Sequence, residues 1–250
     1  MNFKKYFKQI LKNKYYIILL ISIMAFINFT SSIIKFHLIS IEDFEERIIW
    51  NTINLLVLIF SFIISSGILY EFYKKIFETK IELSFIKAIK KYISQLFSAG
   101  IFIGILYLIS LILYYFFKIT LAPHNVYLRR LIYEFESVVY IYITAFVLPI
   151  IFLKDIDGYD AIWFSIEYVI KTIKHMSLTL VIIIIIQKGT IFILEISKNF
   201  LTNYYIMWIL IFFESFIDWF FFLFIFGYTI LLLKQNETKV EMIINNNYYT

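Results

Sequence analysis

The 250-residue chain has no cysteine, two prolines and six glycines, and only 16% of its residues are charged. Each shortage closes off a class of protein. Without cysteine there are no disulfides, no thiolate nucleophiles and no cysteine-based metal sites. With so few prolines and glycines, the chain cannot make the many tight turns of a loop-rich globule. A soluble domain usually carries about 25% charged residues, so the charge here is too sparse for a polar surface. What fills the chain is apolar: 62% hydrophobic and 21% aromatic residues, with a mean hydropathy of +0.83. About 20 apolar residues in a helix cross a hydrocarbon core about 30 Å thick. The length holds several such spans and leaves no room for a separate catalytic domain.

Six apolar stretches reach spanning length, near residues 15–34, 48–70, 94–117, 137–153, 176–196 and 205–233. They are continuous rather than alternating with period two, which selects helices over a barrel. The fold expected is therefore an all-α integral membrane protein, with six transmembrane helices over residues 1–234 and a polar tail over 235–250. Orientation follows from the basic flanks. Lys4, Lys5, Lys8, Lys12 and Lys14 precede the first span, and Lys74, Lys75, Lys80, Lys87, Lys90 and Lys91 lie between the second and third. Lys154, Lys171 and Lys174 follow the fourth, and Lys234 and Lys239 follow the sixth. The opposite side holds Lys35, Arg47, Lys118, Arg129, Arg130 and Lys198. The richer side is the cytoplasmic one, which puts both termini inside and the protein in the plasma membrane. The net charge of +5 is thus spent on topology, and no nucleic-acid partner is expected. A basic head before an apolar run also opens a secretory signal, but this run is long and lacks a clear small-x-small cleavage pattern, so a retained first helix is expected.

Three cytoplasmic lead-ins share one spacing. Phe7, Ile10, Leu11, Tyr15 and Ile18 match Phe85, Ala88, Ile89, Ile93 and Leu96, and then Ile162, Ser165, Ile166, Ile170 and Ile173. Positions i, i+3, i+4, i+8 and i+11 form one apolar helical stripe with lysines between. Each lead-in enters an odd-numbered span. The pattern predicts an internal repeat of three helix pairs, each introduced by an interfacial helix whose lysines snorkel to headgroups.

The stretch from Ser66-Gly67 to Ser84-Phe85-Ile86-Lys87-Ala88, and the later Asp157-Gly158-Tyr159-Asp160-Ala161 leading to Ser165, resemble a group of six-helix prokaryotic membrane proteins. These are related to the membrane domain fused to some glycerophosphodiester phosphodiesterases. The resemblance covers most of the chain. It implies an architecture and no activity, because the phosphodiesterase domain is absent.

The candidate site is a set of charges inside the fifth and sixth spans: Lys188, Asp218 and Glu214. Glu214 lies one helical turn from Asp218, and Lys188 falls at similar depth on the antiparallel neighbour. An unpaired charge at mid-bilayer costs about 2.5–3.5 kcal/mol, so Lys188 and Asp218 are expected to pair. Gln187, Asn51, Asn54 and Thr229 would extend a polar core. The pair reads either as a structural clamp between helices or as an ion- or proton-coupling site.

Other clusters read more plainly. Glu42, Asp43, Glu45 and Glu46, with His37 nearby and His124 in the next outer loop, have metal-binding chemistry, but a solvated acidic helix start explains them better. Asp157-Gly158-x-Asp160-Ala161 begins like the signature of enzymes that transfer CDP-activated alcohols. Ile162 stands where that signature has arginine, and no downstream aspartate pair follows. Asp155, Asp157 and Asp160 are expected to form a turn and a helix start. Gly100-x-x-x-Gly104 with Ser94 and Ser98, and Ser61-x-x-x-Ser65, read as close-packing faces, and Pro149 as a kink. No catalytic residue, cofactor or metal is expected. The partner expected is the lipid bilayer, with small-residue faces compatible with self-association. The function expected is a non-enzymatic structural, assembly or lipid-interacting role, with a small secondary transporter using Lys188, Asp218 and Glu214 as the alternative.

Overall fold

The computed structural model describes residues 3–40, 44–77, 83–120, 141–142, 144–172, 178–199 and 204–236. Among these the secondary structure is helical, with no strands. Eight helices follow in order: α1 Phe3–Lys12, α2 Lys14–Ser40, α3 Phe44–Phe77, α4 Phe85–Thr120, α5 Val147–Lys154, α6 Gly158–Thr172, α7 Leu178–Asn199 and α8 Tyr204–Gln235. Four stretches are long and apolar enough to cross a membrane: Lys14–Leu38, Glu45–Phe77, Phe85–Ile109 and Tyr205–Gln235. They carry the first, second, third and sixth expected spans. The fifth falls on α7, whose apolar part, Leu178–Leu194, is shorter. Of the fourth, residues 137–140 and 143 lie outside the described residues, and its C-terminal part is the eight-residue α5.

Local sequence accounts for where helices break. From Lys14 to Ser40 there is neither Gly nor Pro, and α2 runs unbroken. Asn13 interrupts the helix before it. Its backbone N–H is shared between the carbonyls of Gln9 and Ile10, both at 3.1 Å, and its side-chain amide donates to Gln9 O at 2.9 Å. Pro149 cannot donate to the carbonyl one turn earlier. The turn at Ala145 and Phe146, four and three residues before it, divides the helical residues 141, 142 and 144 from α5. Asp155 ends α5 in the left-handed region, φ 55° and ψ 43°, with its N–H on Ile151 O at 2.9 Å. Asp157 O then accepts the Ala161 N–H at 2.9 Å and opens α6, whose first turn holds Asp160. The aspartates form the turn and helix start expected of them.

The second lead-in is not a separate helix, since α4 runs from Phe85 through the span without a break. The matched positions of the lead-ins also differ in burial. Phe7, Leu11, Tyr15 and Ile18 face outward, whereas Ala88, Leu96, Ile162 and Ser165 are buried. Ile173 lies outside the described residues.

The chain divides into two compact units, each assembled from separate segments. One comprises Lys4–Ile93 and Ile186–Phe224. Within it α2 and α3 run antiparallel, because Tyr16 OH donates to Glu71 Oε2 at 3.1 Å and Ser31 Oγ to Asn54 Oδ1 at 2.9 Å. The α8 segment of this unit is also antiparallel to α2. Phe29 meets Trp208 and Phe212 edge to face at 5.8 Å, and Phe36 meets Trp208 at 5.4 Å. Tyr6 of α1 reaches the same helix at Phe224 O, 3.0 Å. From Tyr6 to Phe29 a straight helix would extend about 34 Å, but from Phe212 to Phe224 only about 18 Å. Side chains do not bridge that difference, so α1 turns off the α2 axis at Asn13. Gly67 brings α3 against the start of α4: a Cβ there would lie 2.5 Å from the Phe85 ring and 3.0 Å from Ile89. Tyr70 accepts the Leu83 N–H at 3.0 Å and stacks on Tyr92.

The other unit comprises Met1–Phe3, Ser94–Ile185 and Ile225–Thr250. Its tightest approach is α6 on α4. The Gly158 N–H donates to Ser98 Oγ at 3.2 Å, and a Cβ at Gly158 would collide with Gln95 O and Ala99 N. Phe146 packs on Tyr168, and Asn236 donates to the Tyr168 hydroxyl at 3.3 Å. Burial raises the Tyr168 phenol above its ordinary value, partly offset by that hydrogen bond.

Candidate intramembrane polar site

Asp218 sits near the middle of the longest apolar run of α8, about 20 Å from Tyr205 and about 26 Å from Gln235 at helical rise. A carboxylate at that depth needs a partner. The structure supplies an amide: Gln187 Nε2 donates to Asp218 Oδ1 at 2.8 Å. Gln187 is 8% exposed, and its Oε1 is buried without a hydrogen-bond partner among the described residues. Lys188 follows Gln187 by one residue, about 100° around the helix, and is half-buried. Its charge attracts the Asp218 carboxylate, and Glu214, one turn before, repels it. Asp218 itself lies on the outer surface. Lys188, Asp218 and Glu214 are thus brought into one electrostatic neighbourhood, with Gln187 making the direct bond.

The wider polar core does not gather there. Asn54 accepts from Ser31 elsewhere in the unit, and Asn51 faces outward. Thr229 is fully buried, belongs to the other unit, and donates to Ile225 O and Phe226 O of its own helix, both at 2.9 Å. The role of Gln187 was only partly legible. A glutamine inside an isoleucine run marks a polar position, but its neighbour Lys188 carries the stronger sequence signal.

At the far end of α3, Glu45 and Glu46 occupy the first turn, where the helix dipole favours them. His37 packs edge to face on Trp50 at 4.7 Å. Glu42, Asp43 and His124 lie outside the described residues. In the other unit an open groove of about 490 Å³ runs along α6, lined by residues including Asp160, Trp163, Glu167 and Lys171. Glu167 and Lys171 pair across one helical turn, which leaves the groove an amphipathic helix face.

No family model, characterised protein or solved structure matches this chain.

Proposed function

We propose that the chain is a plasma-membrane protein crossing the bilayer six times as three helix pairs, both ends cytoplasmic, with a non-enzymatic, lipid-interacting role. The observation that carries this is the charge polarity of the unit containing α1 to α3. Tyr6 stacks on Phe77 at 6.3 Å, so α1 and its lysines lie at the end of α3 that bears Lys74 and Lys75. The same end meets the start of α4, with Lys87, Lys90 and Lys91. Glu45 and Glu46 stand at the opposite end of a 33-residue apolar helix. Basic residues are fewer at that end, Lys35 and Arg47 against Lys4, Lys5, Lys8, Lys12, Lys14, Lys74 and Lys75 at the other. Such a bias of basic residues is what an inner leaflet selects. The cysteine-free chain allows a direct test with single cysteines and a membrane-impermeant thiol reagent. Asn2→Cys, Lys80→Cys and Lys239→Cys are expected to react only after permeabilisation, and Asp43→Cys in intact cells. Labelling of Asn2→Cys and Lys239→Cys from opposite sides would overturn the even number of spans.

A second reading, a small proton-coupled transporter, is favoured by the Gln187–Asp218 contact. A neutral Asp218 has an O–H to give to Gln187 Oε1, closing a two-bond amide–acid pair and satisfying the buried acceptor. An ionised Asp218 leaves that acceptor unmet. In proteoliposomes, Asp218→Asn separates the readings. Loss of proton flux with folding intact would establish the transporter. Destabilisation by about 3–5 kcal/mol, rescued by Lys188→Met, would establish a structural clamp.

A further inference from the structure

Helix α1 presents three faces. Tyr6, fully buried, and half-buried Ile10 turn into the fold. Lys4, Lys5, Lys8 and Lys12 are exposed on the opposite side. Between them Phe7 and Leu11, one turn apart, are 45% and 53% exposed. Ten residues with four lysines and no acid make a strongly cationic helix. Among the described residues, Glu71 of α3 is engaged by the Tyr16 hydroxyl. Lys75 extends the positive field from α3, lying 5.7 Å above the Tyr16 ring. A ligand for this surface must be anionic beside the lysines and apolar beside Phe7 and Leu11. A free phosphate meets the first condition only, and so does nucleic acid.

We propose that α1 is a docking helix for anionic phospholipid, with Phe7 and Leu11 in the acyl boundary and the lysines on the headgroups. This rests on the lipid-interacting reading above and adds a lipid class to it. The bend at Asn13 turns α1 out of the α2 axis, and Tyr6 fixes its rotation by bonding Phe224 O and stacking on Phe77. Its lysine face is therefore held by the fold and does not rotate freely. Each lysine near an anionic surface strengthens attraction, and salt weakens it within a Debye length.

The test uses the full chain with one cysteine, Leu11→Cys, carrying a fluorophore, in vesicles of phosphatidylcholine and phosphatidylglycerol. Bromine is placed on the acyl chains of one lipid or the other, and quenching reports which lipid surrounds the probe. At Leu11, brominated phosphatidylglycerol should quench at least about twofold more than brominated phosphatidylcholine. Raised salt should bring the ratio to unity, as should the combined Lys4→Gln, Lys5→Gln, Lys8→Gln and Lys12→Gln variant. A control probe at Leu56→Cys, on the outward face of α3, should be quenched by both lipids without preference, and unchanged quenching there certifies that the lysine variant is folded. Equal quenching by the two lipids at Leu11, or none, overturns the proposal while leaving the membrane reading intact. Absence of quenching at Leu56 overturns the membrane reading, and the docking proposal with it.

Discussion

A phenol carried into an apolar core has to find an acceptor, and Tyr6 finds one on the main chain of Phe224 at 3.0 Å. The Phe224 carbonyl has two lone pairs, so it receives the phenol in addition to any bond along its own helix. Burial pushes the Tyr6 phenol well above its ordinary value of 10. The fold prefers the neutral form, so its contribution is complete below pH 10 and is lost as pH rises from there through the folded value. Tyr6→Phe keeps the ring and deletes the bond. It should destabilise the protein by about 1 kcal/mol at about pH 8, and the deficit should shrink or reverse at about pH 11. Denaturant unfolding of both proteins at the two pH values checks this. A deficit that is unchanged at high pH would mean that the hydroxyl does not titrate with the fold.

Among the helices, close contact is made by glycines that carry no small-x-x-x-small spacing. Gly100 is outward, and a Cβ at Gly104 would meet nothing within 4 Å. The expected packing face along Gly100-x-x-x-Gly104 is therefore not used in the described fold, although Ser98, just before it, receives the Gly158 N–H. Spacing identifies small residues on one helix face but does not say which face another helix covers. The tight positions are Gly67 and Gly158, whose missing side chains admit respectively a ring and a backbone. This difference predicts an order. At Gly158 a methyl meets the main chain of Gln95 and Ala99, which cannot swing aside, so Gly158→Ala should cost about 1–3 kcal/mol. At Gly67 it meets the tip of Phe85, which can rotate. Gly67→Ala should cost less, with about 1 kcal/mol of helix propensity offsetting it. Thermal unfolding in detergent ranks the two. A larger loss at Gly67 would refute the ordering.

For the molecule as a whole, the long helices were legible because unbroken apolar runs leave lipid no other backbone solution. The division into units was not legible. It joins residues 4–93 to 186–224 and residues 94–185 to 225–250, pairings that local periodicity cannot encode. The amide that bonds Asp218 was likewise hidden behind the more conspicuous Lys188. Because one unit draws on both ends of the sequence, a fragment ending at residue 120 lacks Phe224, Trp208 and Phe212, the partners of Tyr6 and Phe29. That fragment should be degraded when expressed alone and should accumulate when residues 121–250 are supplied as a second chain. Equal accumulation with and without the second chain would contradict this division. The Tyr6 contact also sets a clock. Its two residues are 218 positions apart, so at about 5–20 residues per second the ribosome delivers the acceptor about 10–45 s after the donor. Through that interval α1 lacks the partner that fixes its rotation, and α8 is the helix that supplies it.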